Sequence, residues 1–163
     1  MALILLTVIA ICSAAETRRS DPDNLVSYVL PDGWDDQRTG NGRHFTRAGL
    51  PDDPNFLGVL PRARDDYSSL ENIRRDRSAV HAAQDHRQRS SQVRRVNGFE
   101  VWESIYDAQI RGQAVVFHDA MMFSDDLVIE VHLNASKRDY ADFAPDLQLV
   151  VESMQETRRQ GGR

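Results

Sequence analysis

An alternation of apolar and polar residues persists from Phe99 to Leu133 in three consecutive runs: Phe99 to Ala108, Gln113 to Phe123 and Leu127 to Leu133. No other feature constrains the fold as much. Successive side chains of a strand point to opposite faces, so a period of two marks segments that bury one face of a sheet. Three such runs with short polar connections predict an antiparallel meander. Val115, Phe117, Met121 and Phe123 share a face with Leu127, Ile129, Val131 and Leu133 if Ser124-Asp125-Asp126 is a three-residue connection that sets Phe123 opposite Leu127. The same register puts His118 opposite His132. Pairing Ile105 with Val115 then sets Trp102 beside His118, with Glu100 and Glu130 nearby. Adjacent imidazoles titrate near neutrality and can share a metal ion, so Trp102, His118, His132 and Glu130 form the best-defined candidate binding cluster. The same residues also suit a face covered by the first helix, with ordinary, partly buried histidines.

The rest of the chain is read from turn and helix signals. Leu25 to Leu30 predicts a first strand, stopped at Pro31-Asp32-Gly33 by a fixed φ, a side-chain acceptor and a permissive glycine. The charged segment 35–42, with its Gly40-Asn41-Gly42, predicts a loop. His44 to Ala48 and Phe56 to Leu60 predict two short strands. Ser68-x-x-Glu71 is a capping-box pattern that opens a helix to about His86, with Leu70, Ile73, Val80 and Ala83 apolar and Arg77 within that face. Gln92 to Val96 reads as extended, and Asn97-Gly98 as a hairpin turn or a bend. A closing helix from about Asp142 to Thr157 buries Phe143, Leu147, Val150, Val151 and Met154, with Pro145 tolerated in its first turn.

Ala2 to Ile11 is an uncharged apolar run followed by Cys12-Ser13-Ala14-Ala15 and an arginine-rich segment. It is too short to span a bilayer as a helix and reads as a signal peptide cut after Ala15. No Lys or Arg precedes it, and a buried N-terminal element is the alternative. Lipidation of Cys12 is disfavoured by Ile11, where a small residue is normal. The expected organisation is a signal peptide over 1–15, a polar lead-in over 16–24, a single domain over 25–157 and a frayed tail over 158–163. The mature chain is then periplasmic or secreted. Cys12 is the one cysteine, so a chain cut after Ala15 has no disulfide and no thiol chemistry, and its core must hold it together. A net charge of −5 argues against general nucleic-acid binding. No second apolar stretch is long enough for a membrane span.

Two charge features are candidate sites. Seven arginines stand against Asp76 and Asp85 between Arg74 and Arg95. Of these, Arg87, Arg89, Arg94 and Arg95 could dock an acidic protein partner or an anionic surface; a solvated helix face and its following loop explain them equally well. Aspartate pairs recur at Asp35-Asp36, Asp52-Asp53, Asp65-Asp66 and Asp125-Asp126, alongside Asp21-Pro22-Asp23. Exported proteins can hold calcium with clustered carboxylates, which makes Asp35, Asp36, Asp52 and Asp53 candidates. None has the alternating calcium-loop pattern, and solvated turn acids are the simpler reading. No cofactor is otherwise implied. The sequence lacks Gly-x-Ser-x-Gly, a phosphate-cradling glycine loop and His-Glu-x-x-His. His81 and His86, placed on one helix, stand roughly 140° apart and do not share a face.

The run Tyr28-Val29-Leu30-Pro31-Asp32-Gly33-Trp34 after an export signal resembles the opening of the PsbP-like superfamily. That group includes the photosystem extrinsic protein and bacterial DcrB-type proteins. A central helix, a strand entry at Gly98, a long meander and a last helix carrying Glu152-Ser153-Met154 continue the likeness, from about Leu25 to Met154. The resemblance implies an α+β fold, an antiparallel β-sheet flanked by helices in an α/β/α sandwich, with Trp34 as a core anchor. It implies an accessory or binding role and carries over no catalytic set. The arginine-rich middle and aspartate-rich loops depart from the family, so no partner identity transfers. The expectation is an exported, non-enzymatic protein-binding module of the bacterial cell envelope. Its sharpest form is an immunity protein that neutralises an imported toxin. The alternatives are a small-ligand or metal carrier using the Trp102, His118 and His132 face, and a hydrolase with a dispersed site.

Overall fold

The computed structural model describes residues 17–39, 42–47, 55–65 and 69–157. The apolar run and its cleavage site, the aspartates at 52, 53 and 66, Ser68 and the tail 158–163 lie outside the described residues.

In chain order the elements are β1 (Thr17–Ser20), β2 (Val26–Leu30), β3 (Trp34–Thr39), β4 (Gly42–Arg47), β5 (Phe56–Ala63), α1 (Leu70–Ala83), β6 (Arg87–Val96), β7 (Phe99–Ile110), β8 (Gln113–Phe123), β9 (Leu127–Ser136), α2 (Tyr140–Ser153) and β10 (Gln155–Glu156). Seven strands form one antiparallel sheet in the order β3-β4-β5-β9-β8-β7-β6, and β1-β2-β10 form a second. The meander turns through Asn97-Gly98, with φ of +50° and +91°, and through Arg111-Gly112, with φ of +51° and +80°. Two successive positive-φ residues make the tight turn whose twist matches that of the strands.

Helices cover both faces of the large sheet. On one face Phe45, Leu57, Val59, Val101, Met122, Ile129, Val131 and Leu133 pack against β2 and the α2 stripe Phe143, Leu147, Val150, Val151 and Met154. On the other a smaller cluster of Trp102, Met121, Phe123 and Val128 lies beneath Ile73 and Leu70 of α1. This is the α/β/α arrangement expected, with the small sheet joining the α2 layer. Trp34 anchors it as expected: its indole Nε1 donates to Asp146 Oδ2 at 2.8 Å, and its ring meets Phe143 edge-on at 5.6 Å. No helix among the described residues is long and apolar enough to cross a membrane.

Several boundaries differ from expectation. The polar lead-in contains a strand, because Thr17 to Ser20 pair with β2. Segment 35–42 is mostly the body of the β3-β4 hairpin, paired from Trp34 with Arg47 to Thr39 with Gly42. At the sheet's end, polar residues can pair without being buried. Helix α1 starts one residue later than its capping box suggested, since the Ser69 hydroxyl accepts from Asn72 N–H at 3.2 Å. It stops before His86 because Asp85 takes the left-handed conformation, at φ +57°. Helix α2 begins at Tyr140, so Pro145 sits inside it, and Gln155-Glu156 leave it to pair with β2.

Candidate functional site

The expected cluster of Trp102, His118 and His132 is not assembled. Strands β8 and β9 turn through Asp125-Asp126 alone: Ser124 N–H donates to Leu127 O at 3.0 Å, and Leu127 N–H to the Ser124 hydroxyl at 3.1 Å. Phe123 therefore pairs with Val128, and His118 with Leu133. One residue of shift moves every β9 side chain to the other face. Ile105 pairs with His118 and not with Val115, and Trp102 with Met121, so His118 faces α2, whereas His132 and Trp102 face α1. Trp102 is wholly buried and donates from Nε1 to the Ser91 hydroxyl at 2.8 Å.

Beneath α2, His118 belongs to a buried ionic network. His118 Nε2 donates to Glu103 Oε1 at 2.9 Å, and Arg94 Nε and Gln92 Nε2 reach Glu103 Oε2 at 3.0 and 3.1 Å. Gln148 of α2 also donates to Glu103, and the Tyr140 hydroxyl meets His118 Nδ1 at 3.0 Å. Burial pushes the Glu103 carboxyl up, but the hydrogen bonds from His118, Gln148 and Gln92 outweigh it and hold the group at about 2. The network ties the β6-β7 end of the sheet to α2, a structural duty.

The other four of the five histidines gather on the α1 face. Register sets Ser104, Asp119, His132, Gly58 and His44 side by side across β7, β8, β9, β5 and β4. The His132 ring lies over Gly58, where a β-carbon would overlap it. Glu130 pairs with Arg77 of α1 and stands 3.5 Å from His132 Nδ1. Burial first, and then the neighbouring His132, hold the His44 imidazole below its ordinary value.

His81 and His86, set apart by the sequence reading, are in contact. That reading continued the helix through His86, but the chain reverses at Asp85 and brings the two Nδ1 atoms to 2.8 Å. His81 Nε2 lies 3.1 Å from Asp119 Oδ2, and its ring stacks on Tyr106 at 3.7 Å. His86 stacks on Phe117 at 4.9 Å. With Asp119 ionised, a neutral His81 carries its proton on Nε2 and accepts at Nδ1. His86 then donates from Nδ1 and keeps a lone pair on Nε2. An open cleft of ≈ 220 Å³ lies here, lined by residues including Phe56, Arg77, Asn134 and His132. Burial, reinforced by His81, holds the His86 imidazole below its ordinary 6.5. Sequence spacing could not reveal this relay, because it depends on where one helix stops.

The arginine segment is divided between α1 and β6. Arg87 and Arg89 both pair with Asp107, at 2.8 and 2.5 Å, and Arg94 with Glu103. Arg95 is exposed. Among the described residues strand β6 is an edge of the large sheet, with β7 as its one neighbour. A two-residue hairpin closes on a hydrogen-bonded pair, here Val96 with Phe99, and alternate residues then point their backbone groups outward. Ser91, Val93 and Arg95 are those residues, and Val93 is 47% exposed. Of the aspartate candidates, Asp36 pairs with Arg43 on β3-β4 and is no isolated turn acid; Asp35 lies on the same strand, its side chain on the opposite face. Asp21 is buried and accepts from Asp23 and Val26 N–H at 2.9 and 2.7 Å, so it closes a turn instead of facing solvent. Among the described residues, no three His, Cys, Asp or Glu side chains are placed to hold a metal ion.

No family model matches the chain, and no curated protein matches it in sequence. Solved structures share its fold. LpqN, involved in cell envelope biogenesis of Mycobacterium tuberculosis, superposes with a TM-score of 0.68 at 13% identity, over 87% of this chain and 90% of that one. A protein from Bacteroides thetaiotaomicron gives 0.65 at 14% identity, over 91% of this chain and 51% of that one. Cyanobacterial PsbP (CyanoP) from Synechocystis gives 0.63 at 13% identity, over 93% and 98%. The chain has a PsbP-like fold. Likeness at such identity extends to the fold and no further.

Proposed function

We propose that this chain is an exported, non-enzymatic accessory module of the bacterial cell envelope that works by holding a protein partner. Strand β6 carries the reading: a ten-residue sheet edge with four arginines and no acidic residue. Unpaired edges attract other chains, and arginines on them select against most. The shared fold with LpqN, which is involved in cell envelope biogenesis, supports the compartment. The toxin-neutralising form of the reading would have an imported toxin as partner, and protection of sensitive cells by the expressed chain tests it. The general form is tested by affinity capture from the native host's envelope fraction, with the wild-type chain and with Arg87→Gln/Arg95→Gln as baits. A partner held by the wild type and lost from the variant supports it, and equal capture by both removes β6 as the surface.

A small-ligand carrier is the second reading. It is favoured by the Asp119–His81–His86 relay, which presents an imidazole lone pair beside an open cleft. Native mass spectrometry of the chain purified from its host, with and without His86→Gln, tests for a bound molecule.

A further inference from the structure

We infer that the partner of β6 is an extended acidic segment that adds to the large sheet as an eighth strand; the inference rests on the protein-binding reading above. Ser91, Val93 and Arg95 turn their backbone N–H and C=O groups away from β7, which offers a new strand three donors and three acceptors in register. The half-exposed Val93 stands at the middle of that edge, followed by Arg94 and Arg95. The irregularity between Gln88 and Ser90 limits regular pairing to the portion after it.

Charge selects the occupant. The four arginines of β6 meet three carboxylates: Arg87 and Arg89 share Asp107, Arg94 reaches Glu103 and Glu152, and Arg95 has no ion pair among the described residues. A second copy of β6 would set arginine against arginine across the junction, which like-charge cross-strand pairs disfavour. A strand with glutamates opposite Arg94 and Arg95 and a small apolar residue opposite Val93 satisfies both the backbone and the charge.

The test uses three labelled heptapeptides on the full domain: Val-Glu-Glu-Val-Glu-Glu-Val, its counterpart with Lys in place of Glu, and the first peptide N-methylated at every backbone nitrogen. The last keeps the charge but carries methyl groups where a ladder needs N–H donors. The Glu-Val peptide is expected to bind about tenfold or more tightly than either control, and less tightly as salt rises. Its binding should slow hydrogen exchange at the amides of Ser91, Val93 and Arg95, which contact through charge alone would leave unchanged. Val93→Pro removes an outward N–H without breaking the β6-β7 ladder and should abolish binding. The exchange measurement on the wild type decides the matter even if that variant folds poorly. Equal binding of the Glu-Val peptide and its N-methylated form with no amide protection would overturn strand addition and leave the protein-binding reading standing. Absence of peptide binding, with a captured envelope partner insensitive to both Val93→Pro and Arg87→Gln/Arg95→Gln, would overturn both.

Discussion

Replacing Glu103 with glutamine keeps the shape of a side chain that is 4% exposed and removes its charge. The carboxyl group sits at about 2 in the folded chain against an ordinary 4.5. A gap of that size corresponds to about 3 kcal/mol of stability at neutral pH, at about 1.4 kcal/mol per pH unit. The folded value lies below the unfolded one, so this stability is fully present above about pH 4.5 and drains away as pH falls toward 2. Glu103→Gln should therefore lose about 3 kcal/mol at pH 7, or roughly 6–12 °C in Tm for a domain of this size. It should lose progressively less as pH drops. Urea unfolding followed by the fluorescence of the buried Trp34 and Trp102 at pH 7, 5, 4 and 3 measures both quantities. The difference between the two curves isolates Glu103. Other acids titrate in the same window, among them Asp139, held at about 2 by Arg138 and Ser136. A constant difference across that range, or none, would show that the Glu103 charge does not stabilise the fold.

Three further outcomes are expected. Gly58→Ala drives a methyl group into the His132 ring and should cost about 1–3 kcal/mol; His132→Ala in the same chain should recover most of it, and urea melts of both variants check this. Nitrogen-15 NMR should find His86 as the Nδ1–H tautomer with a midpoint below 6.5, so that its contribution to stability is lost as pH falls below 6.5; a midpoint at or above 6.5 would refute the relay. A β-carbon at Gly33 meets no neighbouring atom, but Gly33→Val places a branched side chain at φ +89° and should lower stability by about 1–2 kcal/mol; an unchanged Tm would refute the turn.

Local patterns reported local structure well. The α2 stripe from Phe143 to Met154, the Pro31-Asp32-Gly33 turn and the Asn97-Gly98 hairpin could be read because each depends on residues close in sequence. The histidine site could not. Apolar alternation usually identifies the buried face, but β8 is covered on both sides and carries Val116, Ala120 and Met122 toward α2 and Met121 and Phe123 toward α1. With apolar residues on both faces, periodicity could not choose between a two-residue and a three-residue turn at Asp125-Asp126. That single residue decides whether His118 meets His132. The His81–His86 contact was hidden for a related reason, because a left-handed Asp85 converts a helical separation into a fold-back. Strand β1 was missed because Thr17 to Ser20 carry no apolar residue and depend on a neighbour for their shape.

Both ends of the described chain hold the same strand. β1 and β10 lie on opposite sides of β2, and both run antiparallel to it. Thr17 sits level with Leu30 and Glu156 level with Val26, so the two ends leave β2 in opposite directions along its axis. Tension applied between the ends would pull along the strands, and the flanking ladders would have to slip as a whole instead of opening one bond at a time. The Arg18 side chain, which donates to Ser27 Oγ at 2.8 Å and to Ser153 O at 3.3 Å, crosses that shear plane. A load applied between Thr17 and Glu156 therefore falls on the small sheet before it reaches the sheet that carries the proposed binding edge.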